Sequence, residues 1–192
     1  MREEGVVPLV AVVLSALLAA SCSTYRSMPV EEKRAFLAEL EETTLVDLVE
    51  LHPDAEAELE SSVGYAIFSN QATKIPIVGA GDGIGVVVDT TTGERTYLKV
   101  GRLDVGGGLG IRTYRLVIIF FEREPLQKLA SGKVELGAGV EAGAGKEDVG
   151  TGAGGIAGSR KESHVLYQLS DAGVSATFTV RAIKYSVLDL DQ

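Results

Sequence analysis

At 192 residues, with 45% hydrophobic residues, 23 Gly, 5 Pro and no Trp, the chain can build one domain with a real core but not two of ordinary size. Its formal net charge of −9 is confined to residues 30–60, which hold eleven acids and two bases; residues 1–29 cancel, and residues 61–192 carry fourteen of each sign. That distribution excludes the clustered Lys and Arg of a nucleic-acid footprint.

In chain order, Val6–Ala20 is apolar except for Pro8 and Ser15 and gives way to Ser21-Cys22. The run is too short to span a bilayer comfortably and has the small-residue exit of a secretory signal. Cys22 is the only cysteine, so no internal disulfide can form. Its place behind the apolar run predicts lipidation, with residues 1–21 as a lipoprotein signal peptide and 22–29 as a tether. Ser23 rather than Asp after it points, by resemblance to Gram-negative sorting signals, to the periplasmic face of the outer membrane.

Residues 30–62 read as helical. Pro29 suits a first turn, and Glu31 and Glu32 suit the helix dipole. Phe36, Leu37 and Leu40 share one face. Thr44 followed by Asp47 matches a capping box and predicts a second piece bearing Leu45, Leu48, Val49 and Leu51, and Pro53 opens a third down to about Glu60. The apolar stripe predicts packing on the domain rather than membrane insertion, because interfacial helices are as a rule basic.

From Val63 the pattern turns to strands: Val63–Phe68, Ile75–Asp89, a Thr90–Glu94 turn, Arg95–Val100, Leu103–Arg112, Tyr114–Phe121, Lys133–Val140, Val165–Leu169 and Val174–Val187. Among them only Pro125–Ala130 reads as helix. Strands joined by turns favour an antiparallel sheet. Ala142–Ser159 is low in complexity and reads as a loop or a poorly packed hairpin.

The stretch Ile77–Asp89, IVGAGDGIGVVVD, invites comparison with a phosphate-binding loop. Its glycines are Gly79, Gly81, Gly83 and Gly85, a G-x-G-x-G-x-G spacing, with Ile84 where a dinucleotide fold needs its third glycine and no helix after it. A literal match at Gly150–Gly155 lies in the low-complexity segment. Period 2 is the strand period, so the four glycines share one face of a strand while Val78, Ala80, Ile84, Val86 and Val88 share the other, with Asp82 as the polar exception. Gly106, Gly108 and Gly110 repeat the device. Each glycine weakens its strand by roughly 0.5–1 kcal/mol, which predicts that the bare face serves close backbone approach.

Several segments in succession resemble the SYLF-domain family, in its bacterial lipoprotein branch: Val63-Gly-Tyr-Ala-Ile-Phe68, then Lys74-Ile-Pro-Ile-Val-Gly-Ala-Gly-Asp-Gly-Ile-Gly-Val86, the Thr92-Gly93 turn, Val105-Gly-Gly-Gly-Leu-Gly110 leading into Tyr114–Phe121, and Ser131–Ala138. The resemblance implies a lipid-binding, membrane-associated module without enzymatic chemistry. Eukaryotic relatives of that family are similar in binding phosphoinositides, and some yeast members bind actin. The chain departs from the pattern in its acidic residues 30–60, where phosphoinositide binding calls for a basic helix, and in Arg95–Leu98, where many members carry Trp. Actin does not suit a chain with a bacterial lipoprotein signal.

Other chemistry is sparse. His52 and His164 stand far apart without a cluster at metal-ligand spacing. Ser163-His164 lacks a nucleophile elbow, and Glu147-Asp148 falls in the low-complexity segment. Neither cofactor nor metal is expected. Six basic residues, Lys74, Arg95, Lys99, Arg102, Arg112 and Arg115, are the candidates for headgroup contact at about 1 kcal/mol each if they share a face. Together these readings predict an α+β domain over residues 30–192: short N-terminal helices on a glycine-rich antiparallel sheet that curls toward a barrel. The expected function is lipid binding at the membrane surface by an anchored envelope protein, with docking of a protein partner as the alternative.

Overall fold

A computed structural model describes residues 24–74, 78–105, 108–132, 135–146 and 159–190. Helix α1 is a single turn, Thr24–Ser27; α2 spans Val30–Leu51 and α3 Asp54–Glu60. Leu37, Leu40, Thr44 and Leu48 are the buried residues of α2, a spacing that places them on one stripe. The break expected at Thr44 does not occur. Thr44 and Asp47 imitate a capping box but answer a guanidinium from the sheet: Arg115 donates to Thr44 Oγ1 at 3.4 Å and to Asp47 Oδ2 at 2.8 Å. The helix ends instead at His52, whose N–H reaches the Leu48 carbonyl at 2.8 Å, just before Pro53.

Seven antiparallel strands follow: β1 Gly64–Lys74, β2 Val78–Asp89, β3 Arg95–Val105, β4 Gly108–Phe120, β5 Glu135–Lys146, β6 Ser159–Lys161 and β7 His164–Val187. Their order is β3-β2-β1-β4-β7-β5, with β6 on β7. The fold is α+β. Strand β1 runs past Phe68 because its polar second half, Ser69–Lys74, is paired on both sides, with β2 and with β4. The expected Leu103–Arg112 strand is divided instead, since β3 continues to Val105 and β4 begins at Gly108. Strand β7 pairs with β4 along His164–Thr177 and then with β3 along Val180–Val187.

That double pairing bends the sheet. Across a flat sheet β1 and β7, two strands apart, would stand about 10 Å from each other. Yet the rings of Phe68 and Tyr185 lie 5.1 Å apart. The expected curl stops short of a barrel of all the strands: β7 returns to β3 only with its last segment, Val180–Val187, and among the described residues β5 pairs with β7 alone.

Each face of the sheet has its own core. On the outer face Leu37, Leu40, Leu48 and Ala55 pack on Ile67, Ile84, Val86, Val88, Val117 and Ile119. On the inner face Ala66, Phe68, Leu98, Val100, Leu116, Ile118, Phe120 and Tyr185 converge over Leu126 and Leu129 of helix α4, Arg123–Ala130. The glycines of β2 belong to the inner face, where the bend is tightest. A Cβ on Gly81 would stand 2.6 Å from the Gln71 carbonyl, and one on Gly83 2.6 Å from Asn70 Oδ1. On Gly85 it would meet the Ile67 carbonyl and the Phe68 ring. No side chain fits there.

Asp89 ties this framework together at the β2–β3 turn. Its Oδ1 accepts from the N–H groups of Thr91 and Thr92 at 2.9 and 3.0 Å, and its Oδ2 from Arg123 at 2.9 Å. Burial alone would raise this carboxyl, but the Thr92 and Thr91 N–H groups and the Arg123 guanidinium outweigh it and hold it below its ordinary value. A carboxylate held low contributes its full stability above its unfolded value of about 3.9 and loses it as pH falls through the lower folded value. Asp89→Asn therefore lowers stability at neutral pH by about 1 kcal/mol, discounted for the half-exposed Arg123, and the gap to wild type closes in acid. Denaturant unfolding at several pH values checks this; a gap that persists in acid would assign the loss to the turn alone.

Candidate functional site

The strand register stacks the outer face in rows. Thr73, Ala80, Leu103 and Ile111 form one row across β1, β2, β3 and β4, since Thr73 pairs with both Ala80 and Ile111, and Ala80 with Leu103. Helix α2 does not reach it. Leu103 is 53% exposed, Ile111 58%, and Val78, the next outer-face residue of β2, 44%. Val78 and Leu103 are diagonal neighbours on β2 and β3, while Ile111 stands three strands from Leu103 with Ala80 and Thr73 between them. The uncovered end thus carries an apolar row broken by small side chains, more than singly scattered residues would give.

One row further in, about 7 Å along the strands, the face turns polar. Asp82 pairs with Gly101, and Gly101 with Lys184; the next row holds Ile84, Lys99 and Ser186. A groove of about 510 Å³ opens over these rows, bounded by Tyr25 of α1 and Lys33 of α2. Tyr25 is fixed there, its hydroxyl 2.9 Å from Ser69 Oγ and its ring against Phe36.

The six basic candidates do not share one open face. Arg95 pairs with Glu41 at 2.7 Å and Arg115 with Asp47 at 2.8 Å, so both bind the acidic helix to the sheet. Tyr65 joins the first pair by donating to Glu41 Oε1 at 2.7 Å; burial, then the carboxylate beside it, push its phenol well up from the ordinary value. Arg102 is 8% exposed and points to the inner face, where it donates to the Tyr114 hydroxyl at 2.9 Å. Lys99 is exposed and faces the groove. Lys74 and Arg112 close β1 and lie in β4 on paired strands; their side chains fall outside the described residues, as do Cys22, Gly106 and the whole of Glu147–Gly158. Gly79 is buried in β2, and Gly108 and Gly110 lie in β4.

The exposed apolar row is the feature that sequence reading missed. Its signal was present in Val78, Leu103 and Ile111, whose parity sets them on the outer face, but only the cross-strand register brings them to the same end of the sheet. Among the described residues no three His, Cys, Asp or Glu side chains converge as metal ligands would. His52 packs on the Tyr167 ring at 5.0 Å, and His164 Nδ1 lies 3.0 Å from Ser163 Oγ beside Phe120. No helix among the described residues is long and apolar enough to cross a membrane.

No protein-family model matches the chain. It is similar to Beta cell expansion factor A of Aeromonas veronii, with 26% identity over 158 residues, which make up 81% of this chain and 57% of that protein. The chain thus spans little more than half the length of the curated relative it matches.

Proposed function

We propose that the chain is a lipid-binding module of a cell-envelope lipoprotein, of SYLF-domain type, that meets the membrane with the uncovered end of its sheet. The exposed row of Leu103, Ala80, Thr73 and Ile111, with lysines beginning one row behind it, carries this reading. Apolar side chains enter the acyl boundary while lysine stems reach back to the headgroups. The acidity of the helices is in part satisfied internally: Glu41 and Asp47 are neutralised by Arg95 and Arg115, Glu58 is buried and accepts from Tyr167, and Glu31, Glu39, Glu42 and Glu50 face solvent.

Leu103, Ile111 and Val78 together contribute about 3 kcal/mol on transfer of their remaining exposed surface, which gives weak, reversible attachment. Stable attachment takes two signals, and a lipid on Cys22 supplies the second. Only Ser23 and Thr24 separate Cys22 from Tyr25, three steps of chain that reach at most about 11 Å, and Tyr25 borders the groove. The order of glycine-bearing strands and the similarity to Beta cell expansion factor A support the family assignment. Flotation of residues 23–192 with phosphatidylcholine vesicles tests the reading. Co-flotation is expected; a protein that stays at the bottom of the gradient would leave the row to a protein partner instead.

A further inference from the structure

Beyond β7 the chain ties the sheet to the helical layer. The N–H of Leu188 donates to the Tyr97 carbonyl of β3 at 2.8 Å, and the Leu190 carbonyl accepts from Arg34 of α2 at 2.6 Å. Leu190 is 4% exposed and belongs, with Leu37 and Leu40 of α2, to the outer-face core. Residues 188–190 are thus a strap bonded to the sheet at one end and to the helix at the other. Leu188 also lines the outer-face groove, as do Tyr25 and Lys33.

Helix α2 is fastened differently along its length. Side chains of the sheet hold its second half: Tyr65 and Arg95 meet Glu41, and Arg115 meets Thr44 and Asp47. Its first half begins after Pro29 with no side-chain cap on the helix end, and such an end frays unless tertiary contacts hold it. Those contacts come from the seated Leu37 and Leu40, from Tyr25 on Ser69 through the preceding turn, and from Arg34 on the strap. A segment held in this way opens at a lower free energy than the rest of the fold.

We propose that the strap is a latch. While Leu190 is seated, the first half of α2 stays closed over the outer face; when the strap leaves, that half opens and the second half remains in place. The groove reaches the latch through Leu188, so an occupant that displaces Leu188 also draws away the carbonyl that Arg34 holds. Opening exposes Leu37 and Leu40 and adds apolar surface to the outer face. Control of membrane contact by this route rests on the membrane reading, whereas the latch itself does not.

Residues 23–192 contain the whole described fold and serve for the test, as the parent and as Leu190→Asp and Arg34→Gln variants. The Arg34→Gln chain leaves the core side chains untouched, and circular dichroism establishes that each variant folds. Hydrogen exchange without vesicles should quicken about tenfold or more over residues 34–40 in both variants, while residues 45–51 and β1 stay within about twofold of the parent. Exchange that rises evenly along α2, or not at all, would overturn the latch. Flotation with phosphatidylcholine vesicles should then increase in the variants, because the opened half adds apolar surface. Unchanged flotation in a variant whose helix has opened would overturn the latch as a control on membrane contact. A parent that does not float would instead contradict the membrane reading and leave hydrogen exchange to decide the latch.

Discussion

Gly85→Ala is expected to destabilise the fold by about 3 kcal/mol, and Gly101→Ala to leave it unchanged or raise stability by up to about 1 kcal/mol. The two substitutions are chemically identical and sit on adjacent strands of one sheet. At Gly85 the new methyl would meet the Ile67 carbonyl and the Phe68 ring, whose Cγ lies 2.8 Å from the built position. Phe68 cannot yield, because it is fully buried and packed on Tyr185. At Gly101 nothing lies within 4 Å, and the alanine only narrows the unfolded ensemble. In a domain of this size the Gly85 loss lowers Tm by about 6–12 °C. Equal melting temperatures for the two variants would refute the claim that the inner-face glycines exist for close approach.

Leu103→Asp combined with Ile111→Asp is expected to abolish flotation of residues 23–192 with phosphatidylcholine. Each replacement removes an apolar side chain that is about half exposed and sets a carboxylate where acyl chains would lie. Losing about 1 kcal/mol of apolar transfer at each site and adding the cost of a charge at the interface shifts the partition by at least about a hundredfold. Neither residue belongs to a core cluster, so the fold should persist, and circular dichroism would establish that. Flotation equal to wild type would place the lipid contact elsewhere on the molecule.

Period and parity made much of this architecture readable in advance. Alternation in Gly79–Val88 placed the glycines on one face and Ile84, Val86 and Val88 on the other, and both faces are as read. The parity of Leu98, Val100 and Arg102 also held the information that Arg102 points inward with its apolar neighbours. Its charge concealed this, because the Tyr114 hydroxyl that receives it stands on another strand. Thr44 and Asp47 misled for the same reason: the group they answer, Arg115, stands 71 and 68 residues away, and nothing local distinguishes a cap from a long-range hydrogen bond. The groove needed three elements brought together by register, and Gly101 shows no sign within its own strand that its empty side is open space.

The absence of Trp from the chain permits the most direct test of the membrane-facing end. Leu103→Trp places a single indole in the exposed row, and Val46→Trp places one on the solvent side of α2, where Val46 is likewise exposed. With vesicles containing brominated phosphatidylcholine, the account predicts a blue-shifted, quenched emission for Trp at position 103 and unchanged emission at position 46. Quenching at 46 with none at 103, or none at either while the protein floats with the vesicles, would contradict it.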